Sequence, residues 1–346
     1  MSVRFRDSFD SYSSTADLLA NWASVSSHLV WDATAGRYGG GCLRSDGFGS
    51  SVGASSPQNI ASSNASTNFM GWSGWFKSPS PPASQSNLII PFNSSNGVAG
   101  ILYLNTNGTV QWYNGSVPVI NGTKNIADGL WHFIEWKTKC TNVSFTGTFV
   151  VDNVQDWTVG GNAQVGGFSY FALYNVPGVI NYWDDILVWE DDGVFPQGSD
   201  FPLGLLRAVT KRGTSDSAVS FATATGGGTH FNQVNSVAPQ STNNVSDPNT
   251  SGHQDLYGMA ATGITPSSIL GVGTTIYGSN PGGGTQNIRA ACKNGGTTIN
   301  GTTKVMPTAG PFGGNMQDFF AIDPATSARW ANISAVDAAT FGFNIP

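Results

Sequence analysis

Aspartate and glutamate are the residues of this chain that could carry acid–base catalysis. Glutamates are scarce. The 346 residues include only two, Glu135 and Glu190. A glycoside hydrolase needs two close carboxyl groups, one protonated and one ionised, and neither glutamate lies in a Glu-x-Asp-x-x-Glu run. Asp184 and Asp185 are adjacent, so on a strand they would point to opposite faces and could not act on one bond. We expect no catalytic residues, and we interpret the two aspartates as one hydrogen-bonded residue and one solvated neighbour.

Histidine offers no second route to catalysis. The four histidines occur singly, without a His-x-x-x-His pair or a Ser or Cys elbow motif. Zinc sites and nucleophilic triads need such partners. The histidines are His28, His132, His230 and His253. We interpret His132, which lies in an alternating segment, as a hydrogen-bonded strand residue.

A calcium ion is the one cofactor that the sequence allows. Asp247, Asn249 and Asp255 place oxygen ligands on either side of Gly252, as a calcium-binding loop would. Pro248 and the missing glutamate at the twelfth position exclude an EF-hand, so we interpret the segment as a turn rich in aspartate and asparagine, with a structural calcium ion as the alternative. The glycine-rich segments lack the lysine of a phosphate-binding loop. No other cofactor is expected.

The composition limits the classes of partner. Only 10% of the residues are charged, the net charge is −6, and no basic run is present. Nucleic acids and anionic membranes are bound by clustered Lys and Arg, so neither is an expected partner. No window of about 18 apolar residues and no signal-peptide pattern occurs, so we expect synthesis and folding in the cytoplasm. The 20 Phe and 11 Trp residues are ample for a packed core.

The elements that must position these residues are predicted to be strands. From Leu130 to Cys140 the even positions are mostly apolar and the odd positions become charged, which is the two-residue period of a strand. A second alternating segment, Phe145 to Val151, ends at the turn sequence Asp152-Asn153. Further segments with the short spacing of a β-sandwich are 70–77, 88–92, 100–105 and 110–113. Candidate strands in the second half are 218–224, 269–277, 286–291 and 319–322.

Three motifs along the first half resemble a known family. They are Asp128-Gly-Leu-Trp-His, the turn Val151-Asp-Asn, and Tyr182-Trp-Asp-Asp-Ile-Leu-Val-Trp. Their order resembles the concanavalin-A-like, laminin-G-like jelly-roll family, which implies a curved sandwich of two antiparallel sheets. Sandwiches of that family can hold glycans by stacking sugar rings on exposed Trp or Tyr, and the candidates here are Trp112, Tyr113 and Trp157. The alternative, that tryptophans of a sandwich lie in its core, stays open.

Tryptophan usage divides the chain into two parts. Ten of the eleven tryptophans precede residue 190, and Gly, Pro and acidic residues cluster directly after it. The sequence therefore predicts a jelly-roll domain at 1–195, a linker at 196–203 and a second domain at 204–346. We expect an all-β fold, in which an antiparallel, concanavalin-A-like jelly-roll β-sandwich is followed by a smaller β-rich domain.

The second half carries a further resemblance, made of short motifs in order. They are Leu203-Gly-Leu-Leu-Arg-Ala-Val, His230-Phe-Asn-Gln-Val-Asn, Asp255-Leu-Tyr, Asp323-Pro-Ala-Thr-Ser-Ala-Arg-Trp and Phe341-Gly-Phe. This order resembles the C-terminal module of phage and prophage virion structural proteins that begin with a laminin-G-like jelly roll. The resemblance implies a bacteriophage virion structural protein, in a capsid decoration or a tail appendage, that is assembled in the host cytoplasm. Its implied partners are other virion proteins, copies of itself in a trimer or ring, and cell-surface glycans.

Two other functions stay open at this point. A carbohydrate-binding adhesin or receptor-binding protein would use the same sandwich, with one or two exposed aromatic side chains as its anchors. A glycoside hydrolase is the least supported alternative, because the glutamates are so few.

Overall fold

The computed structural model describes most of the chain, which forms two units. The first unit is Met1–Ala208 and the second is Val209–Pro346. The described residues are 3–57, 69–114, 118–140, 144–161, 168–191, 193, 196, 198–225, 227–236, 244–308 and 315–346.

The described residues of the first unit are mainly strands. A capping box at Ser14 and Asp17 starts its short helix, α1 (Thr15–Asn21). The strands are β1 (Val3–Asp7), β2 (Ser24–Val25), β3 (Leu29–Asp32), β4 (Cys42–Ser45), β5 (Gly53–Ser55), β6 (Met70–Lys77), β7 (Ser86–Phe92), β8 (Ile101–Leu104), β9 (Val110–Tyr113), β10 (Pro118–Asn121), β11 (Trp131–Cys140), β12 (Phe145–Val151), β13 (Val154–Gly161), β14 (Tyr170–Tyr174) and β15 (Tyr182–Glu190).

These strands form two antiparallel sheets. Sheet A has eight strands in the order β13-β12-β11-β6-β15-β4-β3, with β1 beside β15. Sheet B has seven strands in the order β10-β9-β8-β7-β14-β5-β2. Strands that are distant in the chain lie side by side in both sheets, as β6 and β15 do.

One aromatic core joins the two sheets. Trp136 of sheet A and Trp112 of sheet B have ring centroids 5.0 Å apart, and Trp72 of sheet A contacts Phe171 of sheet B at 6.4 Å. Most strands supply this core with alternate residues, as β12 does with Phe145, Phe149 and Val151. The predicted all-β fold with an antiparallel sandwich is therefore confirmed.

His132 holds the start of β11 to the turn between β12 and β13. Its Nδ1 lies 2.7 Å from Asp152 Oδ2, and its Nε2 lies 3.0 Å from Asp128 Oδ1. The bond to Asp152 is the main cause of a raised His132 pKa, although partial burial opposes it. The turn residues Asp152 and Asn153 both have positive φ, 51° and 65°, as a two-residue hairpin turn requires. The interpretation of His132 as a hydrogen-bonded strand residue is confirmed.

The segment 201–208, which we call the strap, covers the face of sheet A that points away from the core. Trp75 Nε1 donates to the carbonyl oxygen of Leu206 at 2.8 Å, and the Leu203 N–H donates to Glu135 Oε1 at 2.7 Å. The Lys137 ammonium group lies 5.0 Å from the Phe201 ring centroid. Residues 203–208 thus belong to the first unit, and the two units divide a few residues later than the linker predicted at 196–203.

The second unit is smaller and is also built from antiparallel strands. Its main sheet has the order β16-β19-β27-β21-β22, with β23 beside β21. Its elements are β16 (Gly213–Val219), β17 (Thr223–Thr225), α2 (His230–Val234), β18 (Asn244–Ser246), β19 (Gln254–Met259), β20 (Val272–Tyr277), β21 (Asn287–Asn294), β22 (Thr297–Asn300), β23 (Lys304–Val305), β24 (Asn315–Phe320), β25 (Ile322–Asp323), β26 (Ala328–Arg329), α3 (Ile333–Ala338) and β27 (Thr340–Asn344).

The predicted strands 218–224 and 319–322 of the second unit are wrong in their bounds: the first spans the end of β16 and the start of β17, and the second spans the break between β24 and β25. The chain turns away from β16 after Val219 because the N–H groups of Ser220 and Phe221 donate to Asp255 Oδ1, at 2.9 and 3.0 Å. The Ser220 N–H still donates to the Gln254 carbonyl oxygen of β19 at 3.0 Å, so the ladder ends there, and the next N–H, that of Phe221, is bonded by a side chain instead.

We predict that Glu135→Gln gains stability relative to the wild type as pH rises. Burial raises the pKa of Glu135 from 4.5 to about 7, while bonds from the Leu203 and Gly204 N–H groups oppose the shift. The folded chain therefore binds this proton more tightly than the unfolded chain does. Ionisation of Glu135 removes stability as the pH rises from 4.5 to about 7. The expected relative gain is about 2 to 3 kcal/mol between pH 4.5 and pH 8. Urea unfolding at both pH values measures it, and parallel curves for the two proteins would contradict it.

We predict that His132→Gln destabilises the protein most at mildly acidic pH. Because the pKa of His132 is raised on folding, its bonds stabilise the protein fully below pH 6.5, and this stability is lost as the pH rises through the pKa of His132 in the folded protein. Despite opposing burial, the bond from His132 lowers the pKa values of Asp128 and Asp152, so their contribution holds above 3.8 and is lost at lower pH.

The expected loss in the free energy of unfolding is about 1 kcal/mol between pH 3.8 and pH 6.5, and it is smaller at lower and at higher pH. Urea unfolding as a function of pH measures it. His28→Gln is the control, because His28 Nδ1 also bonds an aspartate, Asp46, at 2.8 Å but in an exposed pair. An equal loss in both variants, or a loss that is independent of pH, would contradict the prediction.

Candidate functional site

Charged residues are absent from the strands of sheet B. None of β2, β5, β7, β8, β9, β10 and β14 contains Asp, Glu, Lys, Arg or His. The uncharged stretches run beyond the strands and cover residues 78–123 and 157–183. Sheet A differs, because its strands include Arg4, Glu135 and Asp184. The charge of the first unit is therefore segregated to one sheet and its loops.

Strand alternation decides which side chains of sheet B point away from the core. Leu102, Leu104 and Trp112 belong to the core, so their neighbours Tyr103 and Tyr113 point to the opposite face. The same alternation places further rings and amides there. We define the uncharged face as Gln85, Asn87, Phe92, Tyr103, Asn105, Gln111, Tyr113, Asn121, Tyr170 and Tyr174.

Two pairs of rings lie on the uncharged face. Tyr103 and Tyr113 meet edge to face, with centroids 5.6 Å apart and planes at 70°. Phe92 and Tyr170 are stacked at 4.8 Å and 8°. All four rings are partly exposed. Desolvation raises the pKa values of the Tyr103 and Tyr170 hydroxyls, so both stay neutral at physiological pH.

A row of amides lies beside the Tyr103 and Tyr113 rings. Gln85 Nε2 donates to Asn105 Oδ1 at 2.8 Å and to Gln111 Oε1 at 2.6 Å. Gln111 Nε2 in turn donates to Asn121 Oδ1. These bonds fix the orientation of the amides, and each amide group has two donors and an acceptor oxygen with two lone pairs. The row therefore offers oriented hydrogen-bonding groups next to the rings.

The uncharged face can bind a ligand through rings and amides, but it holds no group that could act as an acid or a base near neutral pH. Aromatic faces accept apolar C–H surfaces, while amide groups both donate to and accept from hydroxyls. No group of three or more His, Cys, Asp or Glu suited to a metal ion occurs in the part of the chain that the structure describes. The chemistry available on this face is recognition of a neutral, hydroxyl-bearing molecule.

Two of the three predicted glycan-stacking residues are wrong. Trp112 is fully buried and stacks on Phe145, with centroids 4.7 Å apart. Trp157 is also buried, and it stacks on Phe149 at 5.3 Å. Both point into the core because of strand alternation, so no sugar can reach their rings. Tyr113, the third candidate, lies on the uncharged face.

The predicted calcium ligands are bonded within the protein. Asp247 accepts bonds from the Thr250 N–H at 2.6 Å and from His253 Nδ1 at 2.6 Å. Asp255 is fully buried. Its Oδ1 accepts two backbone N–H groups, and its Oδ2 contacts His230 Nδ1 at 2.6 Å and Tyr257 at 3.1 Å. Asn249 has a φ of 70°, as a tight turn requires. A calcium ion would have to displace these donors, so the structure favours the interpretation as a turn rich in aspartate and asparagine.

The interpretation of Asp184 and Asp185 as one hydrogen-bonded residue and one solvated residue is wrong, because neither side chain is solvated. Both are buried, and Asp185 has a φ of 49° at an irregularity in the pairing of β15 with β6. Trp183 and Ile186 both reach the core, so the bulge places both aspartates outside the normal alternation. Burial raises the pKa values of both carboxyls. The Arg37 N–H donates to Asp184 Oδ2 at 2.6 Å, which ties this pair to the Gly-rich turn before β4.

Sequence reasoning missed most of the uncharged face, although a signal was available. Residues 78–123 contain no Asp, Glu, Lys, Arg or His, and this stretch includes four neighbouring strands of one sheet. Two of the three candidate rings were tryptophans, whereas the partly exposed rings on the face belong to Tyr and Phe. A search for uncharged stretches that contain tyrosine and amides at alternate positions would have found it.

Comparison with known proteins gives remote structural similarities. No protein-family model and no curated protein sequence matches the chain. A sialidase matches with 12% identity over 53% of this chain and 18% of its own, at a TM-score of 0.40. The CBM22-1 xylan-binding domain from Paenibacillus barcinonensis Xyn10C matches with 12% identity over 54% and 94%, at 0.29. Lotus tetragonolobus seed lectin matches with 12% identity over 49% and 96%, at 0.33. The chain thus spans less than a fifth of that sialidase.

No helix in the described residues is long and apolar enough to cross a membrane.

Proposed function

We propose that this protein binds carbohydrate through the uncharged face of its first unit. One observation carries the proposal: rings and oriented amides lie together on a sheet whose strands hold no charged residue. A pyranose presents an apolar C–H face and a rim of hydroxyl groups. The Tyr103 and Tyr113 rings match the C–H face, and the exposed amides of Gln85 and Asn121 match the hydroxyl rim.

The hydroxyl groups of the tyrosines support the same proposal. Within the described residues, Tyr103, Tyr113 and Tyr174 have no hydrogen bond through their hydroxyl oxygens. Each hydroxyl can donate one bond and accept two, so a bound sugar would find partners that the protein itself does not use. Binding without chemical conversion of the ligand is the function that these groups support.

The first test is binding of purified protein to an oligosaccharide array, followed by calorimetry with the sugars that bind. We expect Tyr103→Ala and Tyr113→Ala each to weaken binding about fivefold to tenfold, since a stacked ring contributes about 1 kcal/mol. Tyr113→Phe keeps the ring and loses only the hydroxyl, so it should weaken binding less than Tyr113→Ala does.

The control for this test is Tyr182→Ala. Tyr182 is a partly buried tyrosine of sheet A whose ring lies 6.2 Å from Trp131. It should bind the same sugars as the wild type. Absence of binding to every sugar, or equal loss in Tyr182→Ala and Tyr113→Ala, would contradict the proposal.

We also propose that the protein is a structural component of a bacteriophage virion, in a capsid decoration or a tail appendage. The support is the resemblance carried by short motifs of the second half, of which the last four lie in the second unit and the first, at 203–209, lies mainly in the strap of the first unit. Asp255-Leu-Tyr lies on β19 and Phe341-Gly-Phe on β27, where Tyr257 pairs with Phe341 and Asp255 with Phe343. Trp330 packs against Phe341 at 6.3 Å. On this proposal the partners are other virion proteins and further copies of the chain, in a trimer or ring.

The virion proposal is tested by mass spectrometry and immunogold labelling of purified particles from the phage that encodes the chain. We expect the protein in stoichiometric amount, with gold at one defined head or tail position. Absence from particles, while the purified protein still binds the array, would refute the virion role and leave a carbohydrate-binding adhesin.

A further inference from the structure

We infer that the uncharged face selects neutral oligosaccharides and excludes those that carry a carboxylate or a sulfate. This inference rests on the proposed carbohydrate binding and adds the ligand class. It follows from the distribution of charge over sheet B, from the cost of burying an unpaired anion, and from the spacing of the two ring pairs.

The face has no cation to pair with an acidic sugar. Proteins recognise carboxylates and sulfates chiefly through Arg and Lys, often with paired hydrogen bonds. Residues 78–123 and 157–183 contain neither. The nearest lysine in the sequence, Lys124, follows β10 in a loop whose backbone is bonded to a carboxylate: the N–H groups of Thr123 and Lys124 both donate to Asp156 Oδ1, at 2.8 and 3.1 Å.

The cost of burying an unpaired anion makes this absence selective. A carboxylate that loses water against neutral rings and amides is left without a charged partner, which is far more costly than burying a hydroxyl that finds an amide. The net charge of −6 adds long-range repulsion of anionic ligands. Neutral sugars meet neither penalty. A face built in this way discriminates by charge without any residue dedicated to repulsion.

The spacing of the ring pairs indicates that the ligand is longer than one sugar. Tyr113 on β9 and Phe92 on β7 are two strands apart, and the registers of β8 with its neighbours displace them by two residues along the strands. Strand spacing of ~4.8 Å and a rise of ~3.4 Å per residue place them about 12 Å apart. One pyranose cannot reach both, so an oligosaccharide should bind more tightly than its monosaccharide.

The test uses array sugars in matched pairs that differ by an acidic group. Suitable pairs are N-acetyllactosamine with its sialylated form, and galacturonan oligomers with and without methyl esters. We expect the acidic member of each bound pair to bind at least about tenfold more weakly, a difference of about 1.4 kcal/mol. Affinity for the neutral member should be equal in 50 and 500 mM NaCl, because no charge pairing is involved.

A charge-gain variant locates the selectivity on this face. Asn121 is exposed at the end of β10, beside Gln111. Asn121→Lys should raise the affinity for acidic members at least about threefold at 50 mM NaCl, and the gain should fall at 500 mM as screening increases. Asn121→Gln, the matched neutral variant, should keep the wild-type selectivity.

The outcomes separate the two proposals. Equal or tighter binding of acidic members would overturn the charge selectivity while leaving carbohydrate binding intact. A further outcome is that the wild type binds neutral sugars while Asn121→Lys leaves the ratio of affinities for neutral and acidic members unchanged. That result would place the binding site elsewhere and would also overturn the inference. Absence of binding to all sugars would refute the proposed function itself.

Discussion

The first unit depends on the aromatic core between sheets A and B. Trp72, Trp136 and Trp183 from one sheet and Trp112 and Phe171 from the other meet there, and ring burial supplies the main driving force for joining the sheets. Because strand alternation directs about every second side chain into that core, the side chains between them form a second face on each sheet, which points away from the core. The two sheets use that second face differently.

Sheet A covers part of its second face with its own chain, and sheet B leaves the rings of its second face partly exposed. On sheet A the strap bonds to Trp75 and Glu135 and so removes their polar atoms from water. On sheet B the second face is lined by rings and amides that need no charged partner. Ionisable groups cluster in sheet A, where Asp184 and Asp185 are buried with raised pKa values. Sheet B can therefore present a surface whose charge is the same at any physiological pH.

Local periodicity was enough to predict the fold but not the site. Alternation predicted the strand at 145–151 with its bounds, because a two-residue period depends only on neighbouring residues. It could not show that Trp112 points inward and Tyr113 outward, since that depends on which face the other sheet covers. The bulge at Asp184 and Asp185 also escaped prediction, because its left-handed residue is an aspartate and not a glycine. The strap was not predicted because its contacts lie 68 and 131 residues away in the chain.

The strap has a consequence for dividing the protein into fragments. A fragment that ended at residue 195, where the sequence places the end of the first domain, would lose the bonds to Trp75 and Glu135. It would remove the strap from the Trp75 ring, which would then depend on its contacts with Arg37, Tyr38 and Phe133, and more apolar surface would be open to self-association. A fragment that contains the complete first unit must therefore extend to Ala208. During synthesis, likewise, the strap can pack on sheet A only after residues 201–208 have left the ribosome.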